Sequence, residues 1–559
     1  MISNHGGILV SLAGSAHRLR PVRARPRAAV LALGLWLALC GCGEADRGPA
    51  ADAQRPPQRL LIVGWDGATF DLVDPLIAAG RLPHLAALIE CGVSARLAST
   101  IIPISSAAWT SAVTGKGPGK TGVYGFLEPI EGSYDARLIS ARSNHAAPLW
   151  RILSAHGLTS HVFGVPVTWP PEAVRGTLVS GLLSPFDAVY THPPQFGDAL
   201  RARGFVPDLG VWQTAERSDR QRFYEQLALK RDVLLELLES PDWDFSMVVF
   251  KSLDVLSHRF YDGRAQGPVA DWLHELDAVL GALRGAAGPM ANTIVMSDHG
   301  FAAYTRSFNL HAWLIEEGFT VRSGHAADGV APGPLATQRV EAHRRRFAEL
   351  DLAKTRAFAT ASEGNFGSLR LNLRGREPQG AVAPEAAEAL LREIEARLSA
   401  LRFAGDGPPL VRRVLRGEAQ YPGPERAVVP DLLIETRADV KVVSNARGPV
   451  FAETARTRPD HAREGILAMC GPGIAARPAR AEASILDIAP TALHLLGQPT
   501  YAEMDGRVRT DLLADATPPR VIAEADDPQF PAAPEDAFFY SDEHLDDVVR
   551  RLEALGYVH

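Results

Sequence analysis

At five places in this chain Asp, His or Ser follows, or in one case precedes, an apolar run. Asp298 and His299 end the stretch "VMSDHGF", where a carboxylate beside an imidazole can be a salt bridge, an acid–base pair or two metal ligands. Asp254 and His258 stand four apart and share one face of any helix that begins there. Asp66 follows "RLLIVGW", Ser105 sits in "PISSAAWTSAVTG", and His461 in "RPDHAREG" lies just before another apolar run. Each has an ordinary structural reading: Asp66-Gly67 as a turn, a serine as a helix N-cap, Asp254 and His258 as a solvated pair, His461 as an exposed loop residue. What those readings explain poorly is their agreement. Three Asp, three His and one hydroxyl form a donor set suited to two divalent cations with nitrogen and oxygen ligands, zinc foremost. Ser106, beside Ser105, is a competing hydroxyl.

The surrounding pattern supplies the elements that must position these groups. Residues 59–64 read as an apolar strand, and Leu72, Val73, Leu76 and Ile77 then recur at helical spacing until Gly80 closes the helix. A second strand–loop–helix spans 98–115. A third has the strand Phe245–Phe250 and a helix running through His258; the opening motif is the fourth, and 465–470 the fifth. Strands alternating with helices predict an α/β fold: a mostly parallel central sheet with helices on both faces, its ligands at the carboxyl ends of the strands. Residues 184–241 read as polar and helical, suited to cap a sheet edge. Residues 321–430 read as an inserted subdomain, with a Gly/Pro-rich loop, a basic helical piece at 343–347 and an amphipathic helix at 384–401. The catalytic core is then 59–320 with 431–515, followed by a tail and helix over 516–559. In that tail Leu545, Val548, Val549, Leu552 and Leu555 form one stripe that packs on the domain.

The 559 residues carry a formal charge of −7, and the first 41 hold five Arg and no acid, so the remainder stands at −12. No basic run follows, which argues against a nucleic-acid partner. Arg18, Arg20, Arg23, Arg25 and Arg27 precede an apolar segment, 28–40, that is too short to span a bilayer comfortably but suits a signal peptide. Leu39-Cys40-Gly41-Cys42 then resembles a bacterial lipobox with Cys42 as the lipidated residue. Residues 1–41 are thus expected to be a signal peptide and 42–58 a tether, placing the protein in the bacterial cell envelope, anchored by lipid and facing the periplasm. Beyond Cys42 only Cys91 and Cys470 remain, and two such distant thiols suggest neither a disulfide framework nor a metal motif.

The ordered set Asp66, Ser105, Asp254, His258, Asp298, His299 and His461 resembles the alkaline phosphatase superfamily, and within it the type I phosphodiesterase/nucleotide pyrophosphatase branch. "TGKGPGKTGVYGF", "GVPVTWPPEAVRG", "LRLNLRGREPQG" and "HAREGILAMCGPGI" are similar to stretches of bacterial and archaeal members, and the likeness covers residues 59–513. The resemblance implies one metal on Asp254, His258 and His461, and a second on Asp66, Asp298 and His299 with Ser105 completing its shell. It implies Ser105 as a metal-activated nucleophile acting on a phosphoester through a phosphoseryl intermediate. Two positions depart from the pattern: Ser105 replaces the usual Thr, and Phe126 stands where an Asn would hold a phosphate oxygen. An apolar wall at Phe126 favours diesters over monoesters. An envelope phosphotransferase and a catalytically inactive metal-binding lipoprotein remain as alternatives.

Overall fold

The computed structural model describes residues 58–207, 217–323, 347–403, 407–425, 429–444, 448–531 and 540–555. Cys42, the expected signal peptide and tether, and most of the basic piece at 343–347 lie outside them.

Leu60–Trp65 is buried at all six positions because it lies inside a nine-stranded sheet. It pairs in parallel with Phe245–Phe250 on one side and Asn292–Met296 on the other. Ser160–Phe163 and Gly176–Val179 continue the parallel run. The period-two alternation of a strand sends its side chains to two faces, and both are covered. Leu61, Val63 and Trp65 join one apolar cluster with residues of the helices Phe70–Ala78 and Gly267–Ala287, whereas Leu60 and Ile62 join another with residues of Ser105–Thr114 and Ile488–Leu495. A strand buried on both faces has no polar alternation, hence the continuous apolar runs in the sequence. The fold is therefore α/β with a mostly parallel central sheet flanked by helices, as expected.

Two features depart from the simplest reading. The fifth strand, Glu464–Cys470, runs antiparallel to both of its neighbours, Val93–Ala98 and Asn292–Met296. It enters the sheet from a second, three-stranded sheet, in which Phe451–Ala462 pairs antiparallel with Gly300–Asn309. His461 is therefore the penultimate residue of a twelve-residue strand and not part of a polar loop. That strand is only sparsely buried along its length, so it lacks the apolar signature by which strands are recognised. A four-stranded antiparallel sheet takes Ala357–Glu363, Phe366–Leu371 and Val411–Arg416 from the expected insertion, and its fourth strand, Leu432–Thr436, from just after it. The helix Ala387–Ala400 buries Leu390, Ile394 and Leu398 against it. The C-terminal helix Asp542–Leu555 buries Leu545, Val548 and Leu552, as its stripe predicts.

Cys91 and Cys470 form a disulfide, with Cα atoms 5.8 Å apart across a sequence separation of 379. This corrects the expectation that two such distant thiols make no disulfide framework. Cys91 ends the helix Pro83–Cys91 and Cys470 ends the strand Glu464–Cys470, so the sheet brings together what the sequence separates. Among the described residues no single helix is long and apolar enough to cross a membrane.

Candidate metal and nucleophile site

All seven expected residues converge at the carboxyl edge of the parallel strands. Asp66 directly follows Leu60–Trp65, Asp254 and His258 lie on the helix Ser252–Phe260 that follows Phe245–Phe250, and Asp298 and His299 follow Asn292–Met296. His461 arrives from the opposite direction, paired with Phe301. Ser105 is the first residue of the helix Ser105–Thr114, whose ten residues are all buried. The N-cap position of that helix is Ile104, which removes the N-cap explanation for Ser105.

Around His299 the side chains are held in one orientation. His299 Nδ1 lies 3.0 Å from the carbonyl of Gly300. A carbonyl only accepts, so Nδ1 carries the proton and Nε2 presents a lone pair. That Nε2 stands 3.2 Å from Ser105 Oγ, 3.3 Å from Asp298 Oδ2 and 3.5 Å from Asp66 Oδ1. Trp109 Nε1 donates to Asp66 Oδ2 at 2.9 Å, and the Gly67 backbone N–H donates to Asp298 Oδ1 at 3.3 Å. Each carboxylate thus has one oxygen held by the protein. The other two, Asp66 Oδ1 and Asp298 Oδ2, are buried without a hydrogen-bond partner. Gly64 permits this packing, since a Cβ there would come within 2.5 Å of the Trp109 ring.

The second group meets at Asp254. Its Oδ1 lies 3.1 Å from His461 Nε2 and 3.4 Å from His258 Nε2, and the two imidazole nitrogens are 2.9 Å apart. His461 Nδ1 lies 2.7 Å from the carbonyl of Pro103, so by the same logic its Nε2 faces Asp254 with a lone pair. The groups touch: the rings of His299 and His461 stack with centroids 3.6 Å apart. Donor atoms within 4.8 Å of one another also join Asp254 with His299 and His461, and His258 with Asp460 and His461. Asp460 is a member the sequence reading passed over, although "RPDHAREG" repeats the Asp-His pair of "VMSDHGF".

Electrostatics separate the two groups. Burial, with the charges of Asp298 and Asp254, pushes Asp66 well above the usual carboxylate range. Burial and then Asp254 push Asp298 up to about 8. Burial opposes ionisation of Asp254 as well, but His258 and His461 hold it well below that range. Burial brings His299 and His461 down to about 4, leaving both imidazoles neutral as metal ligation requires. The fit to divalent cations can be judged on these facts. Two orphaned buried carboxylate oxygens beside a neutral imidazole lone pair are costly as they stand. A hard or borderline dication is the partner that satisfies such a set. The residues fit.

Of the other expected or competing positions, Ser106 Oγ is buried without a partner, in contrast to Ser105. Phe126 is 2% exposed and belongs to the same apolar cluster as Ile104, Val123, Leu138 and Ile139. Tyr124, two residues earlier, packs edge-on against Tyr421 at 5.5 Å.

Three comparisons bear on this geometry. No curated protein matches the sequence. Among solved structures, phosphonoacetate hydrolase from Sinorhizobium meliloti 1021 in complex with phosphonoacetate aligns with a TM-score of 0.53 at 16% identity, over 79% of this chain and 96% of that one. Its complex with phosphonoformate gives 0.53 at 17%, over the same 79% and 96%. Human ectonucleotide pyrophosphatase/phosphodiesterase 5 gives 0.49 at 14%, over 82% of this chain and 100% of that one. At such identities the likeness to phosphonoacetate hydrolase is one of fold. The sequence profile of the type I phosphodiesterase / nucleotide pyrophosphatase family matches residues 60–466, a span that holds every one of the seven site residues. The chain belongs to that metal-dependent family, and it is a hydrolase acting on phosphoester bonds.

Proposed function

We propose that this hydrolase uses Ser105 as its nucleophile and two divalent cations, zinc by the character of the donors, and that it prefers phosphodiesters to monoesters. The observation that carries the reading is Ser105 Oγ at 3.2 Å from His299 Nε2, beside two buried carboxylate oxygens that lack partners. Asp254, His258 and His461 would hold one ion, and Asp66, Asp298 and His299, with Ser105, the other. Bound cations supply the positive charge that lowers the pKa of a serine hydroxyl and offsets the charge on a phosphoryl group.

The protein's own contribution is orientation. Ser105 opens a ten-residue helix, whose unpaired N-terminal N–H groups favour anionic oxygens. Attack forms the bond from Ser105 Oγ to phosphorus and breaks the bond from phosphorus to the leaving alcohol. Water then hydrolyses the phosphoserine and restores the hydroxyl. Phe126 and its apolar surroundings favour a substrate with less charge and a second ester group.

Location in the cell envelope is part of the same proposal, with Cys42 as lipid anchor. The Cys91–Cys470 disulfide supports folding in an oxidising compartment such as the periplasm. Mass spectrometry of the mature N-terminus should find a lipidated Cys42, and an unmodified residue elsewhere would overturn the anchor.

Purified protein loaded with zinc or manganese, assayed on bis-p-nitrophenyl phosphate and p-nitrophenyl phosphate, tests the catalytic reading. Ser105→Ala should abolish turnover of both while keeping the metal content, because the six Asp and His donors remain. Activity within a few-fold of wild type would remove Ser105 from the mechanism. A chelator should inactivate the wild type and added zinc restore it.

A further inference from the structure

His461 is held from outside the central sheet. Its backbone N–H donates to Asp460 Oδ1 at 2.8 Å, and its carbonyl accepts from Tyr304 Oη at 2.8 Å. The other carboxylate oxygen of Asp460 forms an ion pair with Lys441 Nζ. Glu363 Oε1 approaches the same imidazole, 3.6 Å from His461 Nδ1. Next to it, Gly364 has φ +54, and a Cβ there would meet the His461 carbonyl oxygen at 2.0 Å. That contact requires glycine, both for the left-handed backbone and for the space. The Val442 N–H donates to the Gly364 carbonyl at 2.8 Å, which ties the strand carrying Lys441 to the hairpin carrying Glu363.

None of these groups comes from the central sheet. Glu363 and Gly364 belong to the turn between Ala357–Glu363 and Phe366–Leu371 of the four-stranded sheet, and Lys441 to Val440–Val443 of the three-stranded one. Glu363 is 8% exposed and Asp460 2%, so two carboxyl groups are buried beside one imidazole, and Lys441 pairs with the one that accepts from the His461 backbone. Without Lys441 the buried Asp460 carboxylate would lose its ion-pair partner, a costly arrangement that relaxes by moving the side chains.

We propose that Lys441, with Asp460 and Glu363, positions His461 for metal binding, so that the accessory sheets set the affinity of the metal site that contains it. The inference rests on the ligand reading above. Groups of this kind behind a metal-ligating histidine fix its ring and alter affinity by about 10–100-fold when removed.

The test uses Co(II) as a spectroscopic probe in the full-length protein, with Lys441→Met and the conservative Lys441→Arg as variants and Glu363→Gln as an independent second. In wild type, two Co(II) should bind and give visible d–d absorption. Lys441→Met should weaken one of the two sites 10–100-fold and change its spectrum, leave the other site unchanged, and lower kcat more than it raises KM. Lys441→Arg should restore affinity and spectrum. If Lys441→Met does not fold, Glu363→Gln, which changes the group facing His461 Nδ1 at nearly constant shape, should still shift the affinity and spectrum of that one site. Two sites of wild-type affinity and spectrum in either folded variant would refute the inference while leaving the ligand reading intact. A wild-type protein that binds no Co(II) would instead refute the ligand reading itself.

Discussion

In one half of the candidate ligand cluster, Asp66, Asp298 and His299 hang from the ends of two adjacent strands of the central sheet, and two carboxylate oxygens lack a hydrogen-bond partner. In the other half, Asp254 has a histidine nitrogen on either side, and His461 is buttressed by Asp460, Tyr304 and Pro103. The first half leaves two buried carboxylate oxygens without a donor and sits on a sheet buried on both faces. The second half is largely satisfied by protein alone, and its geometry depends on elements outside the sheet. Removing a side chain should therefore have different consequences in the two halves.

Between the two halves, the largest effect is expected at His461. His461→Ala removes a donor from the second half and the stacking partner of His299, so kcat/KM should fall on the order of 10³-fold. Elemental analysis should find one metal per chain. Two tightly held metals in this variant would mean that His461 is not a ligand and that the two halves are not separate sites.

The same contrast explains what the sequence disclosed. Asp66, Asp254, Asp298 and their neighbours are legible because each follows an apolar strand buried on both faces, the strongest short-range signal an α/β chain offers. His461 was legible as a residue but not as part of a strand, because Phe451–Ala462 pairs at the surface and is mostly polar. Asp460 and Trp109 were missed as site residues for another reason. Trp109 acts through Asp66, 43 residues away, and Asp460 through its place beside His461 and His258, and a single Asp or Trp carries no spacing of its own. An Asp before a His was the one available cue. The disulfide was hidden by a separation of 379 residues, which only the fold closes.

That disulfide provides a control for the comparison. Cys470 is at the far end of the strand Glu464–Cys470, roughly 20 Å from the site by strand rise. Replacing both Cys91 and Cys470 by Ser should cost about 2–5 kcal/mol of stability with metal stoichiometry unchanged. Denaturant unfolding and elemental analysis of the same sample decide it. Loss of metal along with stability would show that the cluster senses strain across the whole sheet.

Asparagine substitutions in the metal-free protein should sharpen the contrast by giving opposite signs. Asp298→Asn removes a buried carboxyl that burial and Asp254 push up to about 8, one that must take up a proton as the metal-free protein folds near neutral pH, while the new amide's carbonyl can keep the bond from Gly67. The chelator-treated variant should be more stable than wild type by about 1–3 kcal/mol, though inactive when zinc is supplied. Asp254→Asn takes the charge from between His258 and His461 and should destabilise the metal-free protein by a similar amount. Urea unfolding of the two variants side by side is the measurement, and shifts of the same sign would erase the distinction between the halves.

The smallest expected effect concerns the substrate rather than the metals. Both halves of the cluster would neutralise phosphoryl charge whether the substrate is a monoester or a diester, so neither explains a preference between them. A dianionic monoester needs a further donor near its free oxygens, and Phe126, standing in an apolar cluster, offers none. The wild type should favour bis-p-nitrophenyl phosphate over p-nitrophenyl phosphate by a few-fold in kcat/KM. Phe126→Asn should move that ratio toward the monoester, and because the ring is buried it should also cost about 3 kcal/mol of stability, so the ratio is to be read well below the melting transition. Comparing the ratio, not either rate alone, cancels any loss of folded enzyme. A wild-type preference for the monoester of tenfold or more, about 1.4 kcal/mol in transition-state binding, would mean that a donor elsewhere serves those oxygens and that the apolar wall does not set the choice.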